Sequence, residues 1–312
     1  MSTCMYCHRE AVIYRPYSGE KLCKKCFTES LEKKVRRTIS RYKMLQPDSR
    51  IAIAVSGGKD SMALLYILNK IEQKYPESEL VVITVDEGIL GYREDALRII
   101  KKATKKLGVE WRMSSFKELF SYTLDELVSI AQEKFGEKRL KACTYCGVLR
   151  RKAINMLARQ VGADVVATAH NLDDETQTIL MNILRGDIVR FLRNRPRKKL
   201  TIEGLVPRVK PFKEIPEEEI ALYVHFNQID HHQTPCPYHQ EAYREDVRNF
   251  LNRLERDHPG TKYSILRIYT KILEKIPEEE AYLKTCIRCG EPSSEEICKT
   301  CQLLGELLGE SS

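Results

Sequence analysis

The chain lacks any apolar run near the ~18 residues that a membrane span requires. It also lacks an apolar leader: Met1 to Glu10 carry no hydrophobic signal region, so a cytoplasmic protein with no membrane role is expected. No long internal repeat and no low-complexity segment is present, which sets aside repeat arrays and disordered tracts. What is present is ordinary for a globular protein: 312 residues, 42% apolar and 31% charged, enough for one large core plus smaller modules or for two domains. The charged fraction, rich in Lys and Glu, exceeds the usual ~25% and points towards a heat-adapted source.

The net charge of +8 is clumped. Lys33, Lys34, Arg36, Arg37, Arg41 and Lys43 form one group, and Arg190, Arg193, Arg195, Arg197, Lys198 and Lys199 another. Clumped positive charge suits a polyanion, most often nucleic acid; the bland reading is a solvated helix face and a loop. Of eleven cysteines, eight form four Cys-x-x-Cys pairs outside the middle of the chain, which in a cytosolic protein indicates metal rather than disulfide. Cys4, Cys7, Cys23 and Cys26 have fifteen residues between their pairs, and Cys286, Cys289, Cys298 and Cys301 have eight. Each set matches a closed tetrahedral zinc site, so two Zn²⁺ are expected, with His8 as an alternative to Cys7. Tyr14, Arg15, Tyr17, Lys24 and Lys25 are expected to offer stacking and charge to RNA from the first module.

Between these ends, short apolar strands alternate with helices. Residues 28 to 44 read as a helix with Thr28 as a cap. Strands are expected over 50–55, 80–85, 111–113 and 164–168, and helices over 61–70, 95–107, 150–161, 173–184, 217–227 and 241–255. Such alternation implies βαβ units and a parallel sheet with ligands beyond the carboxyl ends of its strands. Ser56-Gly57-Gly58-Lys59-Asp60-Ser61 follows the first strand and opens a helix. Its glycines admit a phosphate, its free N–H groups and helix dipole favour an anion, and it is not a Walker A loop. Asp60 suits Mg²⁺ bound to phosphate oxygens.

This hexapeptide resembles the loop of the PP-loop ATPases, also called adenine nucleotide α-hydrolases, which cleave ATP between its α and β phosphates. The resemblance implies an α/β fold: a parallel-sheet PP-loop domain, here flanked by N-terminal and C-terminal zinc-finger modules. It also implies an adenosine site lined by Ala54, Val85, Asp86 and Ala169. His170-Asn171-Leu172-Asp173-Asp174 resembles a second superfamily segment. There Asp174 is expected as a second Mg²⁺ or catalytic carboxylate and Asp173 as a helix cap, while His170 is as readily structural as catalytic.

Cys143 and Cys146, with the distant Cys236, make three thiolates without an obvious fourth. That set fits a [4Fe-4S] cluster with one open iron, and equally a Cys143–Cys146 redox pair or a third zinc site using His239. The order of motifs from Cys4 to Cys301 is similar to that of the TtuA family of tRNA 2-thiouridine synthetases, which modify uridine 54, and of its sister family acting on the wobble uridine 34. The resemblance implies ATP-dependent adenylation of a uridine C2 oxygen, with Cys143, Cys146 and Cys236 holding the cluster, and sulfur on its open iron replacing AMP. It further implies a thiocarboxylated ubiquitin-like carrier as sulfur donor, tRNA as substrate, and Arg150 contacting phosphate or the adenylated intermediate. A persulfide on Cys143 or Cys236 is the alternative sulfur form. A homodimer is one option for assembly.

The expected organisation is a first zinc finger over 1–30, a connecting helix over 31–47 and a catalytic domain over 48–210. A helical extension carrying Cys236 follows over 211–280, then a second zinc finger over 281–305 and a tail over 306–312. Composition favours uridine 54 as the target. An amide-forming PP-loop ligase, or a zinc-dependent tRNA-binding factor without chemistry, are the rivals.

Overall fold

A computed structural model describes residues 2–193, 203–238, 242–277 and 284–309. The chain opens with a hairpin, β1 (Ile13–Arg15) and β2 (Glu20–Leu22), followed by α1 (Lys24–Arg41). The core then runs β3 (Arg50–Ala54), α2 (Lys59–Glu72), β4 (Glu79–Asp86), α3 (Arg93–Leu107) and β5 (Glu110–Ser115). It continues through α4 (Phe116–Phe120), α5 (Leu124–Phe135), α6 (Ala142–Gln160), β6 (Val165–Ala167), α7 (Leu172–Leu184), α8 (Ile188–Arg193) and β7 (Arg208–Val209). Three helices follow, α9 (Glu217–Phe226), α10 (Ala242–Asp257) and α11 (Thr261–Lys275), then a second hairpin, β8 (Lys284–Thr285) with β9 (Pro292–Ser293), and α12 (Lys299–Leu308).

The central sheet has the order β5-β4-β3-β6-β7, and each neighbouring pair is parallel. Alternation along the strands explains why both faces are covered. Ile51, Ile53, Val82, Val165 and Ala167 pack with apolar residues of α1, α2, α3 and α9. Ala52, Val81, Ile83, Val85 and Val166 pack with α4, α5, α6 and α12. Each fully buried Ile, Leu or Val here contributes roughly 1.5–3 kcal/mol. The parallel-sheet expectation is therefore met, and β7, two residues long, adds an edge strand that the sequence pattern does not announce.

Two helix starts differ from expectation by more than two residues. Helix α1 begins at Lys24, capped by Cys23, whose sulfur accepts the Cys26 N–H at 3.5 Å; Thr28 lies inside the helix and is not a cap. Helix α6 begins at Ala142, eight residues before the expected Arg150, and so carries Cys143 and Cys146 in its first turns. The residues put forward to grip RNA divide likewise. Arg15 is buried, with Glu20 at 3.1 Å and Glu219 at 2.8 Å. Tyr17 donates to Glu219 and packs on Tyr263 with ring centroids 4.9 Å apart. Both residues brace the N-terminal module against α9 and α11 instead of facing solvent, whereas Tyr14, Lys24 and Lys25 are exposed. Lys34 leaves the basic group too, lodged between the Tyr17 and Tyr263 rings at 4.8 and 4.7 Å. Arg195, Arg197, Lys198 and Lys199 lie outside the described residues. Among the described residues no helix is long and apolar enough to cross a membrane.

Candidate active site and metal centres

The PP-loop joins β3 to α2 at the carboxyl edge of the sheet. Gly57 has φ +89°, and a Cβ there would lie 2.9 Å from the Ala96 Cβ, so glycine is required both by backbone and by space. Gly58 caps α2 without any side-chain hydrogen bond, which leaves helix N–H groups for an anion. Ser56 and Ser61 hydroxyls lie 3.2 Å apart, and the Ser61 hydroxyl donates to Gly58 O at 2.9 Å. Lys59 Nζ donates to Asp60 Oδ2 at 3.1 Å and to Glu217 Oε1 at 2.6 Å. Ala54 and Asp86 end their strands and Ala169 follows β6, so these residues and Val85 share the same sheet edge as the loop.

Asp60 fits a divalent cation on an observation of its own. Its Oδ1 is buried without a hydrogen-bond partner, and burial pushes the carboxyl up to about 6 against the pull of Lys59, with Glu217 and Asp174 adding to the rise. A cation beside it would relieve both conditions. The cap of α7 is Asn171, in a reciprocal box with Asp174: Asp174 N–H donates to Asn171 Oδ1 at 3.0 Å, and Asn171 N–H to Asp174 Oδ2 at 3.2 Å. The expectation that Asp173 caps this helix is thus overturned. Asp173 is buried, accepting from Lys262 Nζ and, at 2.8 Å, from the Glu217 N–H. His170 Nδ1 lies 3.0 Å from the Thr168 hydroxyl.

The three central cysteines converge on the far face of the sheet. Cys143 and Cys146 occupy the N-terminal end of α6, where the dipole favours thiolate. Cys143 Sγ donates to Tyr238 O at 2.8 Å, and Cys236 packs against the apolar cluster that contains Cys146. Burial pushes the Cys146 thiol up to about 11; Arg150 opposes this, while Glu87, Cys236 and Cys143 add to it. The stretch delivering Cys236 is tied to the PP-loop, because the His232 N–H donates to Gly57 O at 2.8 Å and the His232 ring packs on Tyr92.

The terminal cysteine sets are tighter. In each, four ligand atoms lie within 4.8 Å of one another, with Cys7–Cys23 sulfurs 3.5 Å apart and Cys289–Cys298 sulfurs 3.7 Å apart. Tetrahedral thiolates at ~2.3 Å from one zinc are separated by about that distance, so both sets fit Zn²⁺. The first contains Cys7 and not His8. The three central thiolates, brought together from α6 and from the stretch before Tyr238, fit a multi-iron cluster. His239, the proposed fourth ligand of a third zinc site, lies outside the described residues.

Sequence reasoning passed over Glu87, Arg93, Glu217 and His232. Glu87 directly follows Val85 and Asp86, which were expected to line the adenosine site, and that adjacency was its one visible signal. Its carboxylate meets Arg93 and Arg150, and Arg150 Nη2 donates to Cys146 Sγ at 2.9 Å.

A phosphate-cradling loop on a doubly covered parallel sheet defines an ATP-binding PP-loop protein. A family model described as a PP-loop domain matches residues 27–255, and another, described as the N-terminal LIM domain of the 2-thiouridine synthetase TtuA, matches residues 3–28. The chain is 38% identical over 304 residues to a probable sulfurtransferase of Methanocaldococcus jannaschii, covering 96% of this chain and 87% of that one. It is 36% identical over 318 residues to the tRNA 2-thiolation protein NcsA of Haloferax volcanii, covering 96% and 98%. The solved U34-tRNA thiolase NcsA of Methanococcus maripaludis, with its [4Fe-4S] cluster, superposes with a TM-score of 0.85 at 35% identity, covering 100% and 98%. The chain belongs to the tRNA 2-thiolation family of PP-loop sulfurtransferases.

Proposed function

We propose that the protein replaces the C2 oxygen of the wobble uridine 34 of tRNA with sulfur, at the expense of ATP. The observation that carries this reading is the convergence of Cys143, Cys146 and Cys236, the last on a stretch tied to the PP-loop through His232, in a chain alike over its full length to a U34 thiolase that holds a cluster. Ser56, Gly57, Gly58, Lys59 and Ser61 hold the phosphates, and Ala54, Val85, Asp86 and Ala169 line the adenosine site. Asp60 and Asp174 hold Mg²⁺ and counter the charge that develops as pyrophosphate leaves. Adenylation turns the uridine oxygen into part of a good leaving group, AMP. A [4Fe-4S] cluster with three protein thiolates supplies one iron open to a sulfur ligand. Arg150 contributes a fixed positive charge beside the reacting groups. Each terminal Cys4 set holds one zinc, and a thiocarboxylated ubiquitin-like carrier supplies sulfur.

Likeness to a solved U34-tRNA thiolase supports uridine 34 over the uridine 54 that composition favours. Uridine 54 stays as a second reading because the N-terminal module matches the TtuA domain. Sequence-mapped mass spectrometry of tRNA from cells lacking the protein separates them. Loss of 2-thiouridine at 34 is expected; loss confined to 54 transfers the assignment, and unchanged thiolation at both sinks it.

A further inference from the structure

Glu87 lies between two arginines, with Oε2 3.1 Å from Arg93 Nε and Oε1 2.8 Å from Arg150 Nε. Glu87 is 3% exposed and Arg93 4%. Burying such charges costs several kcal/mol per ion before pairing, and a well-packed apolar pair would serve the core as well. The pairing therefore calls for a reason beyond stability, and the other ends of the two arginines suggest one. Arg93 donates to Ser56 O at 2.9 Å and to Val85 O at 3.0 Å, which are the first residue of the PP-loop and the penultimate residue of β4. Arg150 Nη2 donates to Cys146 Sγ at 2.9 Å, and its side chain is otherwise 47% exposed. Glu87 is thus the central member of an unbroken series of contacts from the nucleotide loop to a sulfur.

We propose that Glu87 is a positioning residue: it fixes the Arg150 guanidinium against Cys146 and sets the charge felt at that sulfur, in register with the PP-loop. The inference rests on the reading of Cys143, Cys146 and Cys236 as cluster ligands. Outer partners of metal ligands commonly change activity by about 10–100-fold. With glutamine at position 87, one negative charge near the cluster disappears. A reduced cluster, carrying one more electron, is then favoured, and the reduction potential moves in the positive direction. Arg150 also loses the ion pair that orients it.

The test uses the full-length protein purified without oxygen, as wild type, Glu87→Gln, Arg150→Gln and the double variant. Iron and sulfide content, reduction potential, KM for ATP, kcat for tRNA thiolation and thermal stability are measured on each. Glu87→Gln is expected to keep its iron and its KM for ATP, to shift the potential positively and to lower kcat by roughly ten-fold. In the Arg150→Gln background the same change is expected to have little further effect on kcat, because Glu87 acts through Arg150. An unchanged potential and kcat overturns the inference, as does the same fold-loss in both backgrounds. A joint fall of iron content, ATP binding and thermal stability also overturns it, since that marks a merely structural residue. Absence of iron from the wild type sinks the cluster reading itself, and that result is read before any variant is made.

Discussion

Lys59 of the PP-loop donates to Glu217 at the start of α9, 2.6 Å away and 158 residues later in the chain. If Lys59 meets phosphate as proposed, its ammonium is held beforehand by this carboxylate, which nucleotide would have to displace. Both side chains are about one-third exposed, so the pair is worth at most ~1 kcal/mol. Glu217→Gln is expected to tighten ATP binding by about three- to five-fold at moderate salt. Calorimetric titration with a non-hydrolysable ATP analogue measures this; weaker binding in the variant would count against the competition.

Gly57 allows a sharper expectation. Alanine there meets both a left-handed φ and the Ala96 Cβ at 2.9 Å. Gly57→Ala should destabilise the fold by roughly 1–3 kcal/mol and weaken ATP binding by far more than that strain alone, because the loop itself must move. The expected pattern is a modest fall in melting temperature with ATP affinity down about a hundred-fold. Wild-type affinity would show that the cradle lies elsewhere.

The C-terminal module touches the helix that carries two central cysteines. Lys152 of α6 donates to Cys289 at 3.1 Å, and Arg159 pairs with Glu291 at 3.0 Å. Leu303 and Leu307 of α12 share a core with Leu149 and Ala153 of α6. Replacing Cys301 with serine should remove one zinc and lower iron loading as well, whereas replacing Cys4 should remove one zinc with iron retained. Elemental analysis of both variants decides it. Equal iron loss from the two would favour a general folding role for zinc.

Stability should respond to pH through Glu72, at the C-terminal end of α2. Burial pushes its carboxyl above the ordinary value, partly offset by a hydrogen bond from Ser78. A carboxyl raised by folding supports the native state while protonated, below its unfolded pKa, and that support is lost as pH rises through the folded pKa. Glu72→Gln is therefore expected to raise the melting temperature at pH 8 and to change it much less at pH 4, below the ordinary carboxyl value of 4.5. A larger gain at the lower pH would reverse the sign.

Much of this was legible in the residues, for identifiable reasons. Strands β3 and β4 announce themselves as unbroken apolar runs, and the PP-loop as glycines between a strand and a helix. The cysteine spacing marks both terminal modules. Helix α6 began late in the sequence reading because Cys-Thr-Tyr-Cys-Gly carries a metal pattern in place of an apolar stripe. Strand β7, with two residues, is too short for any period to register. Helices α5 and α11 were passed over although Leu124, Leu127 and Ala131, and Leu266, Tyr269 and Leu273, do repeat at helical spacing. The contacts Glu87–Arg150 and Lys59–Glu217 leave no trace in a single chain, since a charge does not declare which distant charge it will meet.

Cys236 follows Cys146 by ninety residues and reaches it on a stretch tethered to the PP-loop by His232. During synthesis the first two thiolates emerge well before the third, which the folded chain holds on a stretch bonded to the PP-loop. If these three hold the cluster, iron loading is a late event of maturation, and a truncated or misfolded chain is kept from acquiring a complete metal centre.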